Sequence, residues 1–249
     1  MKITLITLCK NEEILLPFFI RHYAPIVDEI HMFDNGSTDR SLEIAKTCSK
    51  IKVIPFDTGG VIRDDVYLKI KNEHYKKLDA DWYIVADMDE FLYHKDLRKR
   101  LEEYTAQGIT MPKTYGYNMI GTDVPIDDGV TPLTQLLNMG VITDTTYVVG
   151  PDFMGSYSKR AMFHKSITGV NYMPGCHECF PTGNVRISAT AEILMLHYKW
   201  LSRDYGSGVY KSWKLSPENQ AAGFGVIDLN LRLSYYDKQL PLRARVPGL

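Results

Sequence analysis

Along the first 107 residues, short apolar runs alternate with segments whose apolar side chains recur every third or fourth position. The runs at 2–8 (Lys-Ile-Thr-Leu-Ile-Thr-Leu), 30–33, 52–56 and 82–86 have the length and the β-branched and aromatic content of strands. Between them, Leu42, Ala45 and Cys48 recur at a spacing of three, and Val66, Ile70 and Leu78 mark one face of a helix over 64–78. Pro17 suits the first turn of a helix and not its middle, which places an ordered helix at 16–23. Asn11 is positioned to cap that helix, and Ser37 or Thr38 to cap the next. Strands separated by helices predict a parallel sheet with right-handed crossovers. The loops at Asn11, Asp34, Gly59 and Asp87 then open on one edge, where sheets of this kind place ligands.

Beyond residue 103 the rhythm changes. Short β-like pieces at 109–111, 115–119, 147–149, 185–188 and 193–197 are separated by turns rich in Gly, Pro and Asp, and a helical segment follows at 202–214. This half reads as an antiparallel extension. The expected organisation is one α/β domain over 1–249, with a mixed sheet, a parallel half at 1–107 and an extension at 108–249.

The stretch 82–91 carries the clearest chemistry. An apolar run ends in Asp87 and Asp89, which alternate along an extended chain and can face one point. Two hard oxygen donors at a strand end suit Mg²⁺ or Mn²⁺ held together with substrate phosphates. The other reading is a solvated acidic loop after a core strand.

Asp34, at the tip of the second run, is a candidate acceptor for a base imide or a ribose hydroxyl. It is also a candidate turn cap beside Gly36. Asp39 can contact nucleotide or simply oppose a helix dipole. Arg63, after Gly59-Gly60, can offset diphosphate charge or lie on a solvated helix end.

Bulk properties narrow the class. The chain has 249 residues, 45% of them hydrophobic and 24% charged, with a formal net charge of -1 and no Lys/Arg block. This gives no electrostatic case for nucleic acid. No apolar stretch approaches the roughly 18 residues that span a bilayer, and no signal peptide is evident. A cytoplasmic, reduced setting is expected, with peripheral membrane association left open. Cys176-His177-Glu178-Cys179 lacks both a second ligand pair for structural zinc and a thioredoxin-like context.

Three elements in order carry a resemblance: Lys10-Asn11-Glu12, Asp34-Asn35-Gly36-Ser37-Thr38-Asp39 and Asp87-Met88-Asp89-Glu90-Phe91. Residues 1–103 resemble a family 2-type glycosyltransferase of the GT-A (Rossmann-like) fold. Within it they are closest to the branch with Lys-Asn-Glu and Asp-x-Asp-Glu-Phe motifs.

The resemblance implies metal-dependent transfer, inverting at the anomeric carbon, from a nucleoside diphosphate sugar to a glycan or glycolipid hydroxyl. A UDP-sugar is the first candidate donor. It implies direct metal ligation by Asp89, a water-mediated or ribose contact for Asp87, and nucleotide contact for Asn11. His197, in His197-Tyr198-Lys199, is implied as a third metal ligand. Glu178 is implied as the general base, with Asp152 second, and Lys165 or Lys199 as a phosphate contact. Residues 108–249 become the acceptor half.

Two rivals remain. One is a non-catalytic nucleotide- or glycan-binding module on the same fold. The other, a sugar nucleotidyltransferase, is disfavoured because Cys9-Lys10-Asn11-Glu12-Glu13 stands where that class has a Gly-rich basic loop.

Overall fold

The computed structural model describes residues 1–142, 158–212, 214–223 and 228–249. The expected strand at 147–149 and the candidate base Asp152 lie outside them.

The four apolar runs form β1 (Ile3–Cys9), β2 (Glu29–Asp34), β3 (Ile51–Pro55) and β4 (Trp82–Val85). Helices α1 (Leu16–Tyr23), α2 (Ser41–Ala45) and α3 (Asp64–Glu73) join them. Helix α1 has the bounds that Pro17 dictates, and α3 tightens into a 3₁₀ turn at His74–Lys77 instead of continuing to 78. Asn11 does not cap α1. Its Oδ1 accepts from the backbone N–H of Thr38 at 2.7 Å, tying the first strand-end turn to the second.

All four strands run parallel, and the sheet closes on β8 (Met162–His164), antiparallel to β4, in the order β3-β2-β1-β4-β8. The order reverses between β1 and β4, which opens a crevice at their carboxyl ends. Both faces of the sheet are covered. Trp82 and Ile84 pack into the core with α1, while Tyr83 and Val85, on the opposite face, pack with Tyr75 and Phe163.

The chain then crosses into a second sheet. Strand β5 (Glu90–Tyr93) leads to α4 (Leu97–Gln107), β6 (Met111–Ile120), α5 (Leu133–Leu136) and β7 (Met139–Ile142). A small ribbon pairs β9 (Ile167–Gly169) with β10 (Thr182–Gly183) ahead of the long β11 (Ile187–Trp200). The end of the chain supplies α6 (Arg203–Ser212), α7 (Pro217–Ala221), α8 (Leu229–Gln239) and β12 (Ala244–Arg245).

The second sheet has the order β12-β7-β6-β11-β5. Its shorter strands pair antiparallel, as expected, but β6 and β11 run parallel to each other. The pieces expected at 109–111 with 115–119, and at 185–188 with 193–197, merge into these two long strands. Register shifts in the β6–β11 pairing absorb the polar interruptions.

Helix α6 lies directly on β11 because Gly206 has no side chain. A Cβ there would stand 2.1 Å from the Trp200 ring. Trp200 and Tyr210 are core residues.

Candidate functional site

The residues from Asp87 to Glu90 are the hinge between the two sheets. They leave β4 at the switch-point crevice and enter β5, whose antiparallel pairing with β11 sets His197 opposite Glu90. The backbone carbonyl of Asp89 accepts from the Tyr198 N–H at 2.6 Å. From α1, the buried Tyr23 hydroxyl donates to the Glu90 carbonyl at 2.9 Å and accepts from the Leu92 N–H at 2.8 Å. The turn is therefore held from both sides by backbone bonds that leave its carboxylates to do other things.

Those carboxylates meet three lysines. Lys71 of α3 reaches Asp87 at 2.6 Å, Lys159 pairs with Glu90 and stands 3.9 Å from Asp87, and Lys199 stands 3.5 Å from Asp89. Lys159 is placed by both sheets. The Ala161 carbonyl accepts from Val85 of β4, and the Lys159 carbonyl accepts from the Thr114 hydroxyl of β6. Lys71, Lys159 and Glu90 are buried.

Burial by itself would raise the Asp87 pKa, but Lys71 and Lys159 overcome it and hold this carboxyl well below its ordinary range. Asp89 is likewise lowered against burial, by Lys199 and His197. For Glu90, burial prevails over Lys159 and the pKa is raised. Burial pushes the His197 imidazole down to about 3, so it is neutral at physiological pH, the form that ligates metals.

Asp89, Glu90 and His197 each offer a ligand atom within 4.8 Å of the others, the only such group among the described residues. The donor set of carboxylate oxygens with a neutral imidazole fits Mn²⁺ and, with fewer protein ligands, Mg²⁺. Within it, Glu90 is already engaged: one oxygen meets Lys159 and the other accepts from the Asp87 N–H at 3.0 Å. Asp89 and His197 are the better ligand pair. Asp87, clamped by lysine, sits beside them.

Other candidates are more scattered. The Asp34 carboxylate is buried and accepts from the backbone N–H groups of Gly36 and Ser37, so its oxygens shape their own turn. Asp39 accepts from Ser41 and Glu13. Arg63 pairs with Asp65 at 2.7 Å and approaches Glu218 at 3.8 Å. Lys165 is bound to Asp81 at 2.8 Å, just before β4 begins, so it lies at the end of that strand opposite Asp87 and cannot contact a phosphate in the crevice. Glu178 lies in a loop closed by Met173 N–H donating to its carbonyl. Cys176 of that loop is buried, and burial pushes its thiol pKa up.

The sequence pattern singles out neither Lys71 nor Lys159, and it marks Glu12 only within the Lys10-Asn11-Glu12 motif, with no role in the site. Lys71 did leave a signal, since it falls on the same helical stripe as Leu68 and Tyr75. Glu12 feels Asp89, Lys199 and Asp87 across the crevice, and burial pushes its pKa well above the ordinary value.

This is an α/β protein with a carboxylate–imidazole group at the carboxyl edge of its parallel sheet, beside the reversal of strand order. No family model matches the chain, and no curated protein matches it. Among solved structures, it is similar to glucosyl-3-phosphoglycerate synthase from Mycobacterium tuberculosis in complex with Mn²⁺ and UDP-glucose. That match has 20% identity, 46% of this chain, 43% of the other and a TM-score of 0.35. It is also similar to S. aureus TarS 1–349 in complex with UDP-GlcNAc, with 12% identity, 85% of this chain, 65% of the other and a TM-score of 0.43. The chain thus spans less than half of the first and under two thirds of the second. Among the described residues, no helix is long and apolar enough to cross a membrane.

Proposed function

We propose that the chain is a metal-dependent glycosyltransferase of the GT-A type, using a nucleoside diphosphate sugar with a UDP-sugar as first candidate. The observation that carries the reading is the placement of Asp89 and His197 together at the carboxyl edge of a parallel sheet, beside the reversal of strand order. The three sequence motifs that resemble family 2 enzymes border this crevice, as such a donor site requires.

Asp89 and His197 would hold the ion, with Glu90 bracing the turn. When bound, a divalent ion neutralises charge developing on a diphosphate leaving group. Lys71 and Lys159 keep Asp87 ionised and still, so that it can accept from a ribose hydroxyl or a metal-bound water. Asn11 and Asp39 tie the first two strand-end turns together and Asp34 braces the second, which would make them one rigid wall for the nucleoside. Glu178 remains the proposed base for the acceptor hydroxyl, because its loop packs on α3, the helix that carries Lys71, with Asn72 bonded to the Tyr172 backbone. Arg63 stands at the start of α3, where its charge can act on phosphate at longer range.

The test is calorimetric titration of UDP, dTDP, GDP and CMP with and without Mn²⁺, followed by assay of sugar release from the donor that binds. Metal-dependent binding of one nucleotide with turnover is the expected result. Binding without any hydrolysis or transfer would move the chain to a non-catalytic module.

A further inference from the structure

Asp89 is shared by two side chains of β11. His197 and Lys199 are two residues apart on an extended strand and therefore project from the same face. His197 Nε2 and Lys199 Nζ each lie 3.5 Å from the same atom, Asp89 Oδ2. Lys71 and Lys159 are committed elsewhere, to Asp87 and Glu90. Lys199 alone of the three lysines occupies the carboxylate that, with His197, forms the better ligand pair. Its side chain keeps 18% exposure and so has room to turn toward the crevice.

A divalent ion on Asp89 and His197 brings two positive charges to the oxygen that Lys199 already neutralises. Ammonium and metal cannot both sit there, because like charges at ion-pair distance repel strongly in a water-poor site. An ammonium displaced from Asp89 remains within a side chain's reach of whatever anion the ion binds.

We propose that Lys199 is a placeholder for the divalent ion: it neutralises Asp89 in the metal-free protein, vacates that oxygen when the ion enters, and then binds the diphosphate that the ion carries. This rests on the reading of Asp89 and His197 as the metal and diphosphate site. Metal and diphosphate then bind cooperatively through one side chain. Without the ion, Lys199 is held by Asp89 and is not available to phosphate.

The proposal makes a prediction of opposite signs. Calorimetry on the full chain would follow magnesium chloride alone, then inorganic pyrophosphate with and without saturating magnesium. In the unaltered protein, magnesium should strengthen pyrophosphate binding. In Lys199→Met, magnesium alone should bind more tightly, since its competitor is gone, while pyrophosphate with magnesium binds on the order of tenfold more weakly, within the usual range of site-to-site coupling. Lys199→Gln should show the same two signs, and Lys199→Arg should restore much of the pyrophosphate binding.

A loss of affinity for both ligands in the Met and Gln variants, or no change in either, would overturn the exchange. Absence of any magnesium binding by the unaltered protein, matched by Asp89→Asn, would instead overturn the underlying metal reading and the exchange with it. Thermal midpoints of each variant separate these results from unfolding.

Discussion

Two aspartate turns close neighbouring parts of the parallel sheet, one after β2 and one after β4, and they solve the same problem differently. The Asp34 carboxylate is consumed within its own turn, by the N–H groups of Gly36 and Ser37. The carboxylates of Asp87, Asp89 and Glu90 are met instead by Lys71, Lys159, His197 and Lys199, from as far as 110 residues along the chain. A turn satisfied by its own backbone is a structural unit and can be built early and locally. A turn balanced by distant groups depends on the whole tertiary structure, and a partner such as an ammonium can in principle give way to another cation. Strand-end aspartates that look alike in sequence thus differ in what their oxygens have left to offer.

The strongest way to break this contrast is to remove one distant partner. Lys159→Met should destabilise the fold by roughly 3–5 kcal/mol, because Glu90 is left buried without its counter-charge. Equilibrium urea unfolding checks this, and a loss below about 1 kcal/mol would mean that the clamp is not structural. Asp89→Asn should leave stability within about 1 kcal/mol yet weaken Mn²⁺ binding by on the order of a hundredfold, as expected for removing a charged ligand beside His197. Manganese titration followed by electron spin resonance reads it directly.

A third prediction concerns how α1 holds β5. Burial drives His22 down to about 4, with its ring hydrogen-bonded to the Leu92 carbonyl at 2.8 Å. The unfolded imidazole takes up a proton near its ordinary pKa of about 6.5, while the folded one does so only near 4. Stability contributed by the neutral ring is therefore present above pH 6.5 and is lost as pH falls toward 4, by roughly 2 kcal/mol between pH 7 and 5. His22→Gln should flatten that part of the pH profile.

At the self-contained turn, Asp34→Ala should lower stability by about 1–2 kcal/mol, because the backbone N–H groups of Gly36 and Ser37 lose their carboxylate acceptor. It should also weaken nucleotide binding less than Asp89→Asn does. A larger loss of nucleotide affinity than of stability would restore direct nucleotide contact for Asp34. Smallest of all, Lys165→Ala should change neither nucleotide affinity nor stability by more than about 0.5 kcal/mol, since its exposed pair with Asp81 lies at the far end of β4.

Much of the parallel half was legible from patterning. The runs ending at Leu8, Phe33, Phe56 and Ala86 became β1 to β4, and Pro17 placed the start of α1 correctly. Both depend on forces acting within a few residues: strand alternation, helical periodicity and the steric limits of proline. The second half was less legible. The pieces near Ile109 and Tyr115, or Val185 and Ile193, look separate because polar residues interrupt them, and only partner strands show that each pair is one strand. Asn11 carries a helix-capping residue type, but its side chain is taken by Thr38 from the adjacent turn.

The amino-acid sequence by itself determined the alternation of strands and helices and the edge on which the polar turns gather, and it placed Asp87 and Asp89 at the end of the fourth strand. These follow from local periodicity and from the rule that parallel strands share one carboxyl edge. Tertiary structure alone decided which partner each carboxylate meets. Electrostatic pairing acts through space and ignores chain separation, so the clamp of Lys71 and Lys159 on Asp87 and Glu90 has no trace in local spacing. The convergence of His197 and Lys199 on one oxygen of Asp89 likewise arises where β11 meets β5, the seam between the two sheets.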